Sequence, residues 1–394
     1  MSEFEKHNPP VRELLSYLHG QEGAMLLLLR QFVEIESPSI DKAAVDRCSE
    51  RVGREWRERG ARVDILKTAK RGNVVRAELA LPRSGAREKN EKQILVLGHV
   101  DTVYPLGTIK RTPFRISGGR AWGPATFDMK GGLVLALFAV DALRAAGVQP
   151  RRKLVFLWTG DEEIGSEASR QAIEAEARKS AAVLVLEPSF GPDGRAKTRR
   201  KGTGGMEIVV HGRAAHAGIN PEEGINAAHE LALQIARLMK MNDARHGITV
   251  QANVISGGTV ANVVPDLARA EVDVRFSRLQ DARPLEKKLL GLRPILRGAR
   301  VEVRAAPSRP PLERTKAVED LFRYAQGLSQ DMGFDLGEAF TGGGSDGNLT
   351  GALGIPTLDG MGAVGDGAHS PRECVVIRAL APRAALIAGL LATL

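Results

Sequence analysis

Hydrophobic residues recur along this chain in two rhythms, one helical and one extended, and their alternation outlines the architecture. Apolar positions at helical spacing over residues 12–35 predict one or two helices before Ser37-Pro38, and Ala43–Arg59 reads as another that stops at Gly60. Arg62–Leu66 and Asn73–Leu81 read as strands, followed by a charged, flexible connection over Ser84–Lys92. Three short runs, Gln93–Leu97, Leu154–Trp158 and Ala182–Leu186, are unbroken in hydrophobicity and suit strands covered on both faces. Helical stretches, Gly131–Ala146 and Glu167–Lys179, lie between them. Strands alternating with helices in this way predict an α/β domain on a largely parallel sheet.

The pattern changes near Lys201. Gly204–Val210, Thr249–Ile255, Ala268–Phe276 and Arg300–Arg304 read as strands, with helices over Ile225–Met241 and Leu285–Leu296. That order, strand-helix-strand-strand-helix-strand, is the split βαβ arrangement of a small ferredoxin-like α+β sandwich. Pro307, Pro310 and Pro311 mark its end, and α/β character resumes from Ala317. The expected organisation is a discontinuous domain of residues 1–200 and 311–394, with residues 201–310 inserted into it. A chain of 394 residues is long enough for two cores.

Composition narrows the function classes. With 43% hydrophobic and 26% charged residues the chain reads as a soluble globular protein. The apolar stretch Ala24–Leu29 is too short for a bilayer and lacks the flanks of a signal peptide, so a cytoplasmic location and no membrane partner are expected. Two cysteines, Cys48 and Cys374, offer no repeated metal spacing and read as packing residues. The net charge of +9 suits attraction of an anionic small substrate. It does not make a nucleic-acid binder: the densest basic cluster, Arg195–Lys201, contains no aromatics, and the whole chain has three Tyr and three Trp.

The candidate chemistry sits where the buried-type strands stop. Gln93–Leu97 runs into His99 and Asp101, Leu154–Trp158 into Asp161, Glu162 and Glu163, and Ala182–Leu186 into Glu187. Carboxyl ends of parallel strands are where open sheets bind ligands. Three adjacent carboxylates repel unless solvent or a cation relieves them, so the second of these ends is either a wet loop or a metal site. His99 and Asp101, two apart on an extended segment, face one side, so that the carboxylate can accept the second imidazole N–H. Asp128, before a long apolar helix, reads alone as a helix N-cap, and His369 in GDGAHSP as a turn histidine.

Taken together, the ordered segments GHVDTV, GPATFDMKGG, TGDEEIG, LEPS and GAHSP resemble the M20-type di-zinc metallopeptidase family, of the glutamate carboxypeptidase kind. GRAAHAG, Asn262 to Pro265, DVRF and TGGGSD match that family's lid domain and the later glycine-rich turn. The resemblance implies a zinc-exopeptidase catalytic domain with an inserted lid and dimerisation domain. It implies one zinc on His99, Asp128 and Glu187 and another on Asp128, Glu163 and His369, with cobalt or manganese as alternatives. Asp128 would bridge, the Asp128-Met129 peptide would be cis, Glu162 would be the general base and Asp101 the partner of His99. His216 would act across a homodimer on the oxyanion, with an ordinary turn histidine as the other reading. Arg275 could clamp a substrate carboxylate or simply line a strand face; Asn262 is a polar contact beside it. Gly342, Gly343 and Gly344 would let backbone approach substrate, with a flexible turn that makes no contact as the other reading. Glutamate at 187 goes, within the resembled family, with carboxypeptidases and N-acyl-amino-acid deacylases. The implied substrate is a peptide or N-acyl amino acid with a free carboxylate.

Overall fold

The computed structural model describes residues 9–79 and 92–394. The connection expected over Ser84–Lys92 lies, up to residue 91, outside them. The chain forms two compact units: Met1–Arg199, Arg314–Thr341 and Ser345–Leu394 make one, Arg200–Glu313 and Gly342–Gly344 the other. The short Gly342–Gly344 segment groups with the second unit because two arginines there hold its carbonyls. Arg275 Nη1 donates to Gly342 O at 3.3 Å, and Arg200 Nη1 to Gly343 O and Gly344 O at 3.1 Å each.

The first unit is built on a six-stranded sheet in the spatial order Arg62–Leu66, Val74–Leu79, Leu154–Thr159, Gln93–His99, Ser180–Val185, Thr357–Leu358. The last four run parallel, and Val74–Leu79 runs against both of its neighbours. The three runs without polar alternation are the three adjacent central strands, covered on both faces as their composition requires. The periodic stretch at the start forms two helices, Val11–His19 and Glu22–Glu34. Helices Gly131–Ala145 and Leu380–Thr393 are apolar on nearly every side and pack against each other in the core. The first begins so close to the neighbouring strand end that a Cβ on Gly132 would lie 2.2 Å from Leu186 O. Both cysteines are buried and unpaired with each other.

The second unit has a four-stranded antiparallel sheet in the order Thr249–Gly257, Leu267–Phe276, Gly202–His211, Arg300–Arg309. Along Leu267–Phe276 every second residue, from Ala268 to Phe276, is buried, the signature of a sheet covered on one face. Helices Ala227–Met239 and Leu279–Leu290 occupy the two helical places of the βαββαβ order. The second differs from its expected span: it starts before Pro284 and ends at Leu290, because Gly291 and Pro294 stop it.

In the first unit Trp56 is fully buried, stacked on Phe156 with ring centroids 4.0 Å apart and 6.4 Å from Trp158. Trp56→Ala is expected to lower the unfolding free energy by about 3–5 kcal/mol, measured by urea denaturation.

Candidate metal centre

Three neighbouring parallel strands deliver their carboxyl ends to one edge of the sheet, and the polar residues beyond them meet there. His99 is the last residue of its strand, and Glu187 stands two residues past Val185. Glu162 and Glu163 open a 3-10 turn, Glu162–Ile164, just after Thr159. Two loops from elsewhere in the chain add Asp128 and His369.

Asp128 stands between the two histidines. Its Oδ1 lies 3.3 Å from His99 Nε2, and its Oδ2 lies 3.2 Å from His369 Nε2. His99 Nε2 is also 3.5 Å from Glu187 Oε1, and His369 Nε2 3.2 Å from Glu163 Oε1. Donor atoms of His99, Asp128 and Glu163, and of His99, Glu162 and Glu187, lie within 4.8 Å of one another. Thus the structure brings together all five residues expected to hold metal, together with the expected base. Asp128 is not the helix N-cap, a place taken by Lys130; its backbone is non-helical and the Asp128-Met129 peptide is cis.

Asp101 does its work differently from the reading of its sequence. The nearer partner of His99 Nδ1 is the Asp101 carbonyl, at 2.9 Å, with carboxylate Oδ1 at 3.5 Å. The carboxylate is occupied: it accepts from the backbone N–H of Glu162 at 3.1 Å and of Glu163 at 3.2 Å, and from Ser39 Oγ at 2.7 Å. Either way Nδ1 donates its proton to Asp101, which makes Nε2 the ring atom that faces Asp128 and Glu187.

Glu373 escaped the sequence reading altogether. Buried at 1% exposure, it accepts from the backbone N–H of Ala125 at 3.1 Å and of Phe127 and Asp128 at 2.8 Å each, and from the Tyr104 hydroxyl. Tyr104 also reaches Ser370 O at 3.0 Å, so one cluster secures the Asp128 segment and the loop of His369. His369 itself is half-exposed and sits at φ 61°, a left-handed conformation that L residues rarely adopt.

The electrostatics are those of a site with too many acids. Burial pushes Glu163 up to about 7, with Asp128 and Glu162 adding repulsion. Burial and then the charge of Asp128 raise Glu187. Burial would raise Asp128 as well, but the two histidines hold it below its ordinary range. His99 is held well above its usual value by Asp101, Asp128 and Glu187 despite burial, and Asp128 and then Glu163 lift His369 to about 10. Imidazole and carboxylate donors crowded into a buried space fit zinc, and also cobalt or manganese. A carboxylate whose two oxygens face different histidines has the shape of a bridging ligand.

In the second unit His216 is exposed on a two-stranded ribbon, paired with Val263. Its Nδ1 accepts from Gly218 N and Ile219 N, both at 3.1 Å, so the ring's proton sits on the outward Nε2. Asn262 belongs to the same feature, its carbonyl accepting from Ala217 N at 2.9 Å. Arg275 grips Asp273 through Nε and Nη2, each at 2.8 Å.

Residues 95–393 match the profile of peptidase family M20/M25/M40. The chain belongs to that family. This M20 chain is 30% identical over 377 residues to carboxypeptidase G2 of Pseudomonas sp. strain RS-16, covering 94% of itself and 89% of that protein. It is 29% identical over 316 residues to a succinyl-diaminopimelate desuccinylase of Dechloromonas aromatica, covering 72% of itself and 78% of that protein. Its fold matches an M20-family metallo-carboxypeptidase from Sulfolobus solfataricus with a TM-score of 0.73 at 20% identity, over 94% of this chain and 98% of that one. It is therefore a metallohydrolase of the M20 type, with the catalytic and dimerisation-domain architecture of that family. Among the described residues no helix is long and apolar enough to cross a membrane.

Because burial holds Glu163 near 7 against an ordinary 4.5, its contribution to stability is full below about pH 4.5 and is lost as pH rises past 7. Chelated wild-type protein should therefore lose stability relative to Glu163→Gln between about pH 5 and about pH 8. Urea unfolding at the two pH values measures this, and saturating zinc should reduce the difference.

Proposed function

We propose that this M20 chain is a two-zinc hydrolase that cleaves an amide or peptide bond to a C-terminal amino acid with a free carboxylate. The observation that carries the proposal is Asp128 facing His99 with one oxygen and His369 with the other, while Glu187 and Glu163 flank the pair. His99, Asp128 and Glu187 would hold one ion and Asp128, Glu163 and His369 the other. When bound, such ions polarise a carbonyl and acidify water.

The remaining work falls to the chain. Glu162, next to a ligand but with its backbone N–H held by Asp101, accepts the proton of the attacking water and passes it to the leaving nitrogen. The outward Nε2–H of His216 is a donor of the kind that stabilises an oxyanion, and we assign it that role in a homodimer. Arg275 and Asn262 are assigned to the substrate carboxylate, Arg275 exchanging part of its hold on Asp273, and the Gly343-Gly344 backbone to close approach. Likeness to carboxypeptidase G2 favours a carboxypeptidase, and glutamate at position 187, shared within the resembled family by carboxypeptidases and deacylases, favours a substrate with a free carboxylate. The desuccinylase relative supports a second reading, an N-acyl-amino-acid deacylase.

Turnover of an acyl-glutamate, an acyl-ornithine and a dipeptide set by metal-loaded protein separates these readings; no turnover of any would refute both. Glu162→Ala should retain zinc, measured by elemental analysis, yet lose at least about 100-fold in kcat. Mixing His216→Ala with Glu162→Ala subunits should restore part of the activity, and no recovery under conditions of subunit exchange would remove His216 from the partner's site.

A further inference from the structure

The turn that carries Glu162 and Glu163 is closed at its base by a residue far along the chain. Asp346, 2% exposed, accepts from Thr159 Oγ1 at 3.0 Å with Oδ2 and from Ser166 Oγ with Oδ1. Thr159 ends the strand before the turn, and Ser166 follows Gly165 at its close. Ser166 is held at φ 56°, and its N–H donates to Asp161 O at 2.8 Å. One carboxylate therefore ties the two ends of the stretch from Thr159 to Ser166, while Asp101 holds its tip through the amides of Glu162 and Glu163.

The anchor is itself fixed. Ser345 Oγ donates to Asp359 Oδ2 at 2.5 Å, Ser345 N to Asn348 Oδ1 at 2.9 Å, and Gly347 N to Ser345 Oγ at 3.0 Å. A carboxylate suits the task better than an amide: it offers an acceptor oxygen to each hydroxyl at once, whereas an asparagine offers one.

We infer that Asp346 is a positioning residue for Glu162 and Glu163, setting where the turn holds them; this rests on the role proposed above for that pair. It touches neither substrate nor reacting atoms. Its value lies in placement, since a displacement of about 1 Å at a reacting group can cost about 100-fold in rate.

The test compares full-length Asp346→Ala, Asp346→Asn and Ser166→Ala with wild type. Hydrogen exchange, on chelated and on metal-loaded protein, should quicken at least tenfold at the amides of residues 161–166 in Asp346→Ala and remain unchanged in helix Gly131–Ala145. With whichever substrate of the panel is turned over, kcat should fall about 10- to 100-fold while KM changes less than about threefold. Asp346→Asn should lie between, and Ser166→Ala should move in the same direction with the fold intact. Unchanged exchange in the turn, or quickened exchange with wild-type kcat, overturns the inference. If Asp346→Ala loosens the whole unit, Ser166→Ala decides, and wild-type behaviour in it counts against the role. An inactive wild type would defeat the proposed function, while the exchange data would still judge whether Asp346 holds the turn.

Discussion

Mutual repulsion among buried acids is the constraint around which this molecule is arranged. Asp101, Glu162 and Glu187, buried, and Asp128 and Glu163, partly buried, meet at one end of the sheet. An ionised carboxylate taken out of water costs several kcal/mol unless donors or a cation answer it. The fold answers some of these charges with its own N–H and O–H groups: two amides and a hydroxyl on Asp101, two imidazoles on Asp128. Glu163 and Glu187 are left above their ordinary range, the acids whose ionisation the fold's own donors answer least.

Holding so many like charges together needs a stiff frame, which the three central strands provide. Their side chains are covered on both faces, and helix Gly131–Ala145 comes close enough to Leu186 that only glycine fits at 132. Around this frame, acids act as clamps on backbone amides and side-chain hydroxyls rather than as chemistry. Glu373 orders the segment of Asp128, Asp101 the tip of the Glu162 turn and Asp346 its ends. Each clamp joins stretches remote in sequence, so the geometry of the centre is a property of the whole unit.

Much of this was legible in advance because hydrophobic continuity and strand ends are local signals. QILVL, LVFLW and AVLVL mark the covered strands without ambiguity, and the polar residues after them can only emerge at the sheet's edge. The order of elements after Lys201 likewise reveals the second unit's βαββαβ plan. What stayed hidden was long-range. Nothing near Glu373 says that it reaches back to Ala125, Phe127 and Asp128. Spacing placed Asp101 beside His99, yet spacing could not show that two amides 61 and 62 residues onward would claim its carboxylate. Helix ends also shifted where capping chemistry competes, as at Gly291 and Pro294.

The first unit is discontinuous, and its last segment supplies both His369 and the carboxylate that orders Asp128. A polypeptide emerging from the ribosome therefore exposes His99, Asp128, Glu163 and Glu187 well before either of those residues exists. The nascent chain holds a half-built set of donors, with the Asp128 segment still unclamped, for as long as the second unit takes to be made. Completion of the centre is thereby deferred to the end of translation, when the segment carrying His369 and Glu373 joins donors already made.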